Sequence, residues 1–346
     1  MSRNLNLHLD HIVIWVADIE KTSDFLGEIV GLRRHPMEIG VSADDPTVGG
    51  MEGVFFDGNG LWLELILPTT PGPGMDILEE KGAGTVVEIN FQPEEYDDIL
   101  AEMKSRGIAM LNMDGSPLNE DGGLIKEGIG SGDDIEHTGQ RIAYWSTALS
   151  RGTSVEIFEV RPGDEGGLIN IRDKMWEKEP PAAASDPWVS HVTIICKDLQ
   201  ATAKFYTDVI GLESAGKPLT SNERGGARGA YKFSFINAKG VWLELIEPAG
   251  PGLMMDLLHE RGDGHVGSIC FQVQNLKAYC DKLKAKGVQM LNVDGEPVSD
   301  SNITHAPFGE KKAYFPASLT CGVAVEIIER GPKETSCLPN WKGRAA

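Results

Sequence analysis

The feature that most constrains this chain is a repeat, offset by 180 positions, in which charged residues recur in register. His11 in LDHIVIWVADI is matched by His191 in VSHVTIICKDL. Glu64 in GLWLELILP is matched by Glu244 in GVWLELIEP. Imidazoles and carboxylates are costly inside apolar strands unless something compensates them. Their recurrence therefore predicts a duplicated set of strands in which these charged side chains have a functional role. A metal ion would supply that compensation.

The repeat extends along most of the 346-residue chain and divides it into two halves. MKSRGIAMLNMDGSP at 103–117 is echoed by LKAKGVQMLNVDGEP at 283–297 with the same offset. Between the halves lies a stretch rich in Gly, Pro, Ala and charged residues, which is typical of a linker. We predict a first domain at 1–165, a linker at 166–187, a second domain at 188–332 and a C-terminal tail at 333–346.

Each half also repeats within itself, although more faintly. Four times a strand-like pattern that starts with a polar residue leads into an amphipathic segment, which a Gly closes as at a helix C-terminus. Short alternating segments follow and end in a strand with a central glutamate. Those glutamates are Glu64, Glu156, Glu244 and Glu326. Each module therefore reads β-α-β-β-β, which predicts an α+β fold of four modules, two in each half.

The strand around Glu64 has two different faces, because side chains alternate along a strand. One face is aliphatic and is expected to pack under a helix, whereas the other combines the carboxylate with bulky apolar neighbours and suggests a lined concavity. The two faces carry Leu61, Leu63 and Leu65, and Trp62, Glu64 and Ile66, respectively. Around Glu88 the same-face neighbours are Asn90 and Gln92, which favours a solvent-facing side there.

The net charge and the cysteine pattern limit which binding partners and which cellular compartment are compatible with this sequence. With a formal net charge of −20, the chain lacks the basic character that binding to nucleic acids or anionic membranes requires. Five cysteines without a CxxC pattern indicate free thiols in a reducing compartment. The first residues show no signal-peptide core, and no run of about 18 apolar residues predicts a transmembrane helix. We therefore expect a cytoplasmic protein, with a homodimer as a possible assembly.

Four segments of the second half, taken in order, resemble the vicinal oxygen chelate superfamily, which includes glyoxalase I, methylmalonyl-CoA epimerase, extradiol dioxygenases and bleomycin-resistance proteins. The segments are LELIEP at 243–248, LLHERGDG at 257–264, ICFQVQNL at 269–276 and FPASLTCGVAVEII at 315–328. Locally they are most similar to methylmalonyl-CoA epimerase. The resemblance implies two cupped domains of two paired modules each. It also implies one divalent metal ion per cup, held by the first and last strands of each module.

By position, the resemblance implies a set of metal ligands in each cup. The first half offers His11, Glu64, Glu88 and Glu156, and the second half offers His191, Glu244, Ser268 and Glu326. Ser268 is a poor ligand for a divalent ion, so the first half is favoured as the metal site. Some relatives pair their modules across the halves instead, and the second module would then share its cup with the third. The sequence leaves both pairings open.

The chemistry implied for the first half follows from its ligand types. One imidazole and three carboxylates make a hard, oxygen-rich site that suits Mn²⁺, Mg²⁺, Fe²⁺ or Co²⁺, with Zn²⁺ also compatible. The metal would polarise a small-molecule substrate that has a carbonyl or carboxylate, while a glutamate moves the α-proton. We predict a divalent-metal-dependent isomerase, epimerase or lyase that works through a metal-stabilised enolate. Glu156 is the first candidate for the base, and Glu64 or Glu88 the next.

Two other functions stay open. The four-module length also fits an extradiol-type ring-cleaving dioxygenase, which uses Fe(II) held by two His and one carboxylate. Its ligands would fall at His191, Ser268 and Glu326, and Ser268 breaks that set unless His265 replaces it through a strand bulge. The substitutions at positions 88 and 268 also fit a non-catalytic protein that binds a small molecule.

Three features near the rims of the cups complete the candidate site. His137 and His305 occupy comparable loops and are candidates for donating a proton or orienting a substrate, with an exposed loop His as the alternative. Arg141 and Lys312 follow them and are candidates for binding a substrate carboxylate or phosphate. A Gly-rich insertion at 123–134 fits either a lid or a tolerated surface loop.

Overall fold

A computed structural model of the chain describes residues 5–41, 49–119, 122–123, 141–159, 187–221, 228–305 and 309–331. Within these ranges the chain forms two mixed β-sheets of eight and nine strands. The strands of either sheet all come from the same half of the chain, so the modules pair within halves and not across them. The predicted α+β fold of four β-α-β-β-β modules in two domains is confirmed.

The predicted domain limits at 165 and 188 stay predictions. The linker at 166–187 lies outside the described residues apart from Pro187, and the tail at 333–346 lies wholly outside them. Most of the Gly-rich insertion at 123–134 is also outside the described part of the chain.

The first sheet joins the two modules of the first half at its centre. Its strands are β1 His8–Trp15, β2 Arg33–Val41, β3 Met51–Asp57, β4 Trp62–Pro68, β5 Thr85–Gln92, β6 Met110–Leu111, β7 Ile142–Trp145 and β8 Ser154–Phe158. They are ordered β2-β3-β4-β1-β5-β8-β7-β6. The central strands β1 and β5 are antiparallel, and β4 and β8 flank them in parallel. The first and last strands of both modules are therefore neighbours.

The second sheet repeats this arrangement. Its strands are β9 Trp188–Ile195, β10 Glu213–Ser214, β11 Leu219–Ser221, β12 Tyr231–Asn237, β13 Trp242–Pro248, β14 His265–Val273, β15 Thr304–His305, β16 Lys311–Tyr314 and β17 Val325–Glu329. They are ordered β10-β12-β13-β9-β14-β17-β16-β15, and β11 also pairs with β12. In both sheets the ladder between the two central strands is bulged in two places, which bends the sheet there.

Six helices accompany the described strands. They are α1 Ile19–Asp24, α2 Pro73–Lys81, α3 Tyr96–Ser105, α4 Leu199–Lys204, α5 Leu253–Arg261 and α6 Leu276–Ala285. Helices α1 and α4 each continue as a π-helical segment, at Phe25–Val30 and Phe205–Val209, respectively. Helices α1, α3, α4 and α6 are the four amphipathic segments that the sequence predicts. Helices α2 and α5 were not predicted, because few of their residues form an apolar stripe. No helix in the described ranges is both long enough and apolar enough to cross a membrane.

Capping residues explain where the predicted helices begin and end. The Asp18 carboxylate accepts a hydrogen bond from the Lys21 amide at 2.9 Å, and Asp198 does the same for the Ala201 amide at 2.9 Å. Each aspartate thereby satisfies one of the free N–H groups in the first turn of its helix. The first helical segment ends at Gly31, whose φ of 98° is left-handed and favours glycine.

The two faces of each sheet have separate apolar clusters. Leu61, Leu63 and Leu65 belong to the main core, which includes helical residues of both halves, so their predicted inward face is confirmed. Across the two halves the rings of Phe25 and Phe315 meet edge to face at 5.1 Å. The opposite faces carry smaller clusters of their own. Helix α2 packs Leu78 onto one of them, and this explains why its apolar residues are few.

The two domains also approach each other through backbone contacts at glycines. A Cβ on Gly84 would lie 2.0 Å from the carbonyl carbon of Gly322, so only glycine leaves room there. The equivalent contact on the other side joins Gly264 to Gly152, and Thr153 Oγ1 donates to the Gly264 carbonyl at 2.8 Å. Close backbone contact at these positions fixes the placement of one domain on the other.

Two substitutions separate close packing from backbone strain, because Gly82 and Gly84 share a left-handed φ of 80°. A Cβ on Gly82 would meet nothing within 4 Å, so Gly82→Ala should cost only the strain of its glycine-type backbone conformation (φ 80°, ψ 160°), about 1–3 kcal/mol. Gly84→Ala adds overpacking against Gly322 and should cost a further ~1–3 kcal/mol. Chemical denaturation of both variants measures the difference. Equal losses of stability would mean that the glycine contact does not hold the domains together.

Candidate functional site

The face of the first sheet opposite the main core brings together all four ligand candidates of the first half. We call this face the first cup and define it by His11 on β1, Glu64 on β4, Glu88 on β5 and Glu156 on β8. These strands are neighbours, and side chains on the same face of neighbouring strands interact. Three of the four side chains are buried, while Glu88 is half-buried.

His11 is held between two carboxylates. Its Nδ1 lies 2.8 Å from Asp10 Oδ2, and its Nε2 lies 3.3 Å from Glu64 Oε2. Burial would lower the pKa of this imidazole, but the hydrogen bonds with Asp10 and Glu64 outweigh burial and raise it to about 10. The bond to Asp10 fixes the ring so that Nε2 faces into the cup. The ring of Phe158 packs beside it with the centroids 5.3 Å apart.

Glu88 and Glu156 form a second pair in the first cup. Their carboxyl groups lie close to each other, and Glu156 also lies next to the Tyr144 side chain. Burial, followed by the negative charge of Glu64, raises the pKa of Glu88 to about 7. Burial, followed by the charge of Glu88, raises the pKa of Glu156 well above its ordinary value. Both shifts report the cost of holding carboxylates close together away from water.

Asn90 connects the two pairs. In the amide orientation that satisfies its neighbours, its nitrogen donates to the two carboxylate oxygens of Glu156 at 3.0 and 3.2 Å. Its oxygen then lies 3.2 Å from His11 Nε2. The predicted solvent-facing side of this strand is wrong, because Asn90 and Gln92 are both buried. The Gln92 side chain is instead hydrogen-bonded to His8 at 2.9 Å.

The donor set of the first cup suits a hard divalent cation. In the described part of the chain no three His, Cys, Asp or Glu side chains have the spacing of a preformed metal centre. The four candidates form two contacting pairs that Asn90 joins, so side-chain rotations would be needed to bring all four to one ion. Three carboxylates and one imidazole offer oxygen-rich ligation with surplus negative charge, and the raised pKa values of the carboxylates reflect that surplus. We conclude that these residues fit such an ion chemically.

The corresponding face of the second sheet has equivalent strands but different side-chain contacts. We call it the second cup and define it by His191 on β9, Glu244 on β13, Ser268 on β14 and Glu326 on β17. His191 Nε2 lies 3.4 Å from Glu244 Oε2, and Thr193 Oγ1 donates to the same oxygen at 3.0 Å. Burial would raise the pKa of Glu244, but the neighbouring His191 outweighs burial and lowers the pKa.

Two cationic side chains occupy the second cup next to Glu326. Arg228 Nη2 lies 2.6 Å from one carboxylate oxygen, and Lys312 Nζ lies 3.4 Å from the other. Ser268 Oγ also donates to Glu326, at 3.2 Å. Burial would raise the pKa of Glu326, but the charges of Arg228 and Lys312 hold it at about 2. Arg228 also donates a hydrogen bond to the phenol oxygen of Tyr314, and its guanidinium group lies over the Tyr314 ring.

The sequence analysis missed the groups that organise the two cups. Asp10 and Asn90 were not recognised because a single polar side chain beside a ligand carries no pattern of its own. Tyr144 and Tyr314 recur 170 positions apart, the same offset as Glu156 and Glu326, so the repeat could have revealed them. Arg228 had no signal, because its equivalent in the first half, 180 positions earlier, is an apolar valine.

The remaining candidates lie elsewhere. Arg141 is not available to a substrate, because it pairs with Glu159 at 2.6 Å and stacks over the ring of Tyr96 on the helix-covered side. His265 has Arg261 among its charged neighbours and not Glu326, and burial followed by that charge lowers its pKa to about 4. His305 is exposed at the end of a strand. His137 lies outside the described residues.

A family model matches both halves of the chain. The model described as the glyoxalase/bleomycin resistance protein/dioxygenase superfamily covers residues 8–116 and 188–311. Each match begins at the first strand of its sheet and includes both central strands. Together the two matches extend over more than half of the chain.

Two curated proteins are similar over about a third of the chain. The ethylmalonyl-CoA/methylmalonyl-CoA epimerase of Cereibacter sphaeroides is 31% identical over 110 residues, which are 32% of this chain and 77% of that protein. The mitochondrial methylmalonyl-CoA epimerase of Bos taurus is 26% identical over 109 residues, which are 31% of this chain and 59% of that protein.

One solved structure is similar over nearly the whole length. A variant of 4-hydroxymandelate synthase from Streptomyces coelicolor superposes with a TM-score of 0.60, covering 97% of this chain and 98% of that one. The sequence identity is 16%, so the likeness establishes the tandem fold alone.

The buried ion cluster of the second cup predicts a pH-dependent loss of stability. Glu326→Gln leaves two buried cations without their carboxylate and should cost about 3–5 kcal/mol at neutral pH. Because the folded-state pKa of Glu326 is lowered from 4.5 to about 2, its contribution is complete above pH 4.5 and is lost as the pH falls towards 2. Denaturation at several pH values should therefore show the gap between wild type and variant closing in acid.

The matched control is Glu247→Gln in the same domain. Glu247 pairs with Lys232 at 2.7 Å, but that lysine is half-exposed, so the change should cost no more than about 1 kcal/mol. A loss for Glu326→Gln as small as that of the control, or a gap that does not change with pH, would contradict the described ion cluster.

Proposed function

The chain belongs to the glyoxalase/bleomycin resistance protein/dioxygenase superfamily, and from that premise we propose that its first cup is the metal-dependent active centre of an epimerase or isomerase. The reaction is the removal and return of a proton next to a carbonyl group. The two similar curated proteins are named as epimerases of malonyl-type coenzyme A thioesters, which supports this class of reaction. The substrate class that we propose is accordingly an acyl thioester with a carboxylate on its α-carbon.

One observation carries the proposal, namely that four ligand-type side chains converge at the centre of the first sheet. His11 pairs with Glu64 at 3.3 Å, Glu88 pairs with Glu156, and Asn90 joins the two pairs. The arrangement places surplus carboxylate within the first cup. A bound divalent cation would offset that charge, polarise a substrate carbonyl and make the neighbouring C–H group more acidic.

His11, Glu64, Glu88 and Glu156 are the residues that would hold the cation, and Glu156 would loosen from it to act as the base. Asp10 orients the imidazole by its 2.8 Å contact with Nδ1, as carboxylates commonly do for metal-ligating histidines. Because hydrogen bonds with Asp10 and Glu64 raise the pKa of His11 to about 10, a cation held by this imidazole would displace its proton.

Glu156 moves the substrate proton in this proposal. Its carboxylate accepts two hydrogen bonds from the Asn90 amide and lies next to Tyr144, so it is held within the first cup. The carboxyl group of Glu88 lies close to it and provides an adjacent place for the proton. A glutamate in a buried site with like-charged neighbours has a raised pKa, which suits proton transfer near neutral pH.

Exchange of the α-proton with solvent tests the proposal. We expect wild-type protein with Mn²⁺ or Co²⁺ to incorporate deuterium from D₂O at the α-carbon of methylmalonyl-CoA or ethylmalonyl-CoA. Glu156→Gln removes the group that carries the proton and should slow exchange about 100-fold or more at saturating metal. Glu64→Gln should instead weaken metal binding. Mass spectrometry of the recovered thioester gives the rate.

The repeat supplies the matched control. Glu244→Gln changes the equivalent residue of the second cup and should leave both metal affinity and exchange as they are in wild type. No exchange with any of the tested metals would contradict the proposed reaction. Equal losses in Glu64→Gln and Glu244→Gln would contradict the assignment of that reaction to the first cup.

A further inference from the structure

The second cup retains three ligand-type residues, yet its charges are already balanced by the protein itself. Glu326 contacts Arg228 at 2.6 Å and Lys312 at 3.4 Å, and all three side chains are almost fully buried. The positive charges of Arg228 and Lys312 thus balance the negative charges of Glu244 and Glu326.

The equivalent positions of the first half carry no charge. Lys312 corresponds to Ile142, because β16 and β7 align at an offset of 170 and pair with their last strands in the same register. Ile142 is buried beside Tyr144 and Phe158 on the cup face. The sequence equivalent of Arg228 is a valine at position 48. The cups therefore differ by two cations as well as by the exchange of Glu88 for Ser268.

We infer that Arg228 and Lys312 take the place of the divalent cation in the second cup and keep metal out of it. Two fixed positive charges neutralise the carboxylates as a divalent ion would, and they repel any ion that approaches the same oxygens. Arg228 also uses an oxygen of Glu326 that a metal would need. The second cup is accordingly a metal-independent half, whatever reaction the first cup performs.

This inference differs from the simpler account in which the second cup lacks metal because Ser268 replaced a ligand. If the missing ligand were the cause, Ser268→Glu alone would restore binding. If the cations are the cause, Ser268→Glu alone adds nothing, because Arg228 and Lys312 remain. Their replacement by the first-half residues, R228V with K312I, opens the site even with Ser268 in place.

Metal analysis after equilibrium dialysis against Mn²⁺ or Co²⁺ separates the two accounts. All variants are made in the Glu64→Gln background, which weakens the first cup, so that the second cup is counted. We expect no added metal for Ser268→Glu, about one added equivalent for the pair R228V and K312I, and at least tenfold tighter binding when all three changes are combined. One equivalent in Ser268→Glu alone, or none in the folded triple variant, would overturn the inference.

Removal of the buried cations leaves two carboxylates uncompensated, so the variants should depend on metal for folding. We expect Mn²⁺ to raise the Tm of the variant with R228V and K312I, and to leave the Tm of Ser268→Glu where it is without metal. A variant that carries both replacements and folds equally well with and without metal would count against the inference.

The reciprocal change in the first cup is decisive even if those variants fail to fold. Ile142→Lys places an ammonium group beside Glu156, as Lys312 lies beside Glu326, and it should weaken metal binding there about 100-fold or more. Ile142→Met has a similar length without the charge and should bind metal like wild type. Equal affinities of the two variants would overturn the inference. The comparison of Ile142→Lys with Ile142→Met rests on the proposed metal site of the first cup. If the wild-type protein binds no metal, that result contradicts the proposed function and not this inference.

Discussion

Buried carboxylates at the centre of each sheet must be compensated, and the rest of the structure is arranged around that requirement. An isolated charge inside a protein costs several kcal/mol, so it is paired, protonated or bound to a metal. The first cup relies on His11 beside Glu64 and on the Asn90 amide between His11 and Glu156. The second cup relies on Arg228 and Lys312. The two halves thus share one fold but compensate their buried carboxylates with different side chains.

Duplication explains why the framework tolerates that difference. The helix-covered faces of both sheets share one hydrophobic core, and glycine contacts such as Gly84 with Gly322 join the domains on the strand side. Each domain therefore depends on the other for its position, while the two cups lie on separate faces.

Most of the fold could be predicted from the sequence, because repeated strand patterns and capped amphipathic segments are local signals. The alternation around Glu64 correctly predicted which face enters the core and which enters the cup. The pairing of modules could not be predicted, since it depends on contacts between distant strands. Around Glu88 the polar neighbours suggested solvent, whereas the cup buries Asn90 against Glu156 and His11. Arg228 contacts Glu326, which lies 98 residues later in the sequence, and no local sequence pattern predicts such a long-range contact.

The central claim is that the first cup, and not the second, holds a divalent cation. Anomalous diffraction from crystals grown with Mn²⁺ or Co²⁺ tests it most directly, because it locates the ion independently of any activity. The account predicts one strong peak per chain, within bonding distance of His11 and Glu64, and none near Glu326. A peak among His191, Glu244 and Glu326, or no peak in either cup, would contradict it.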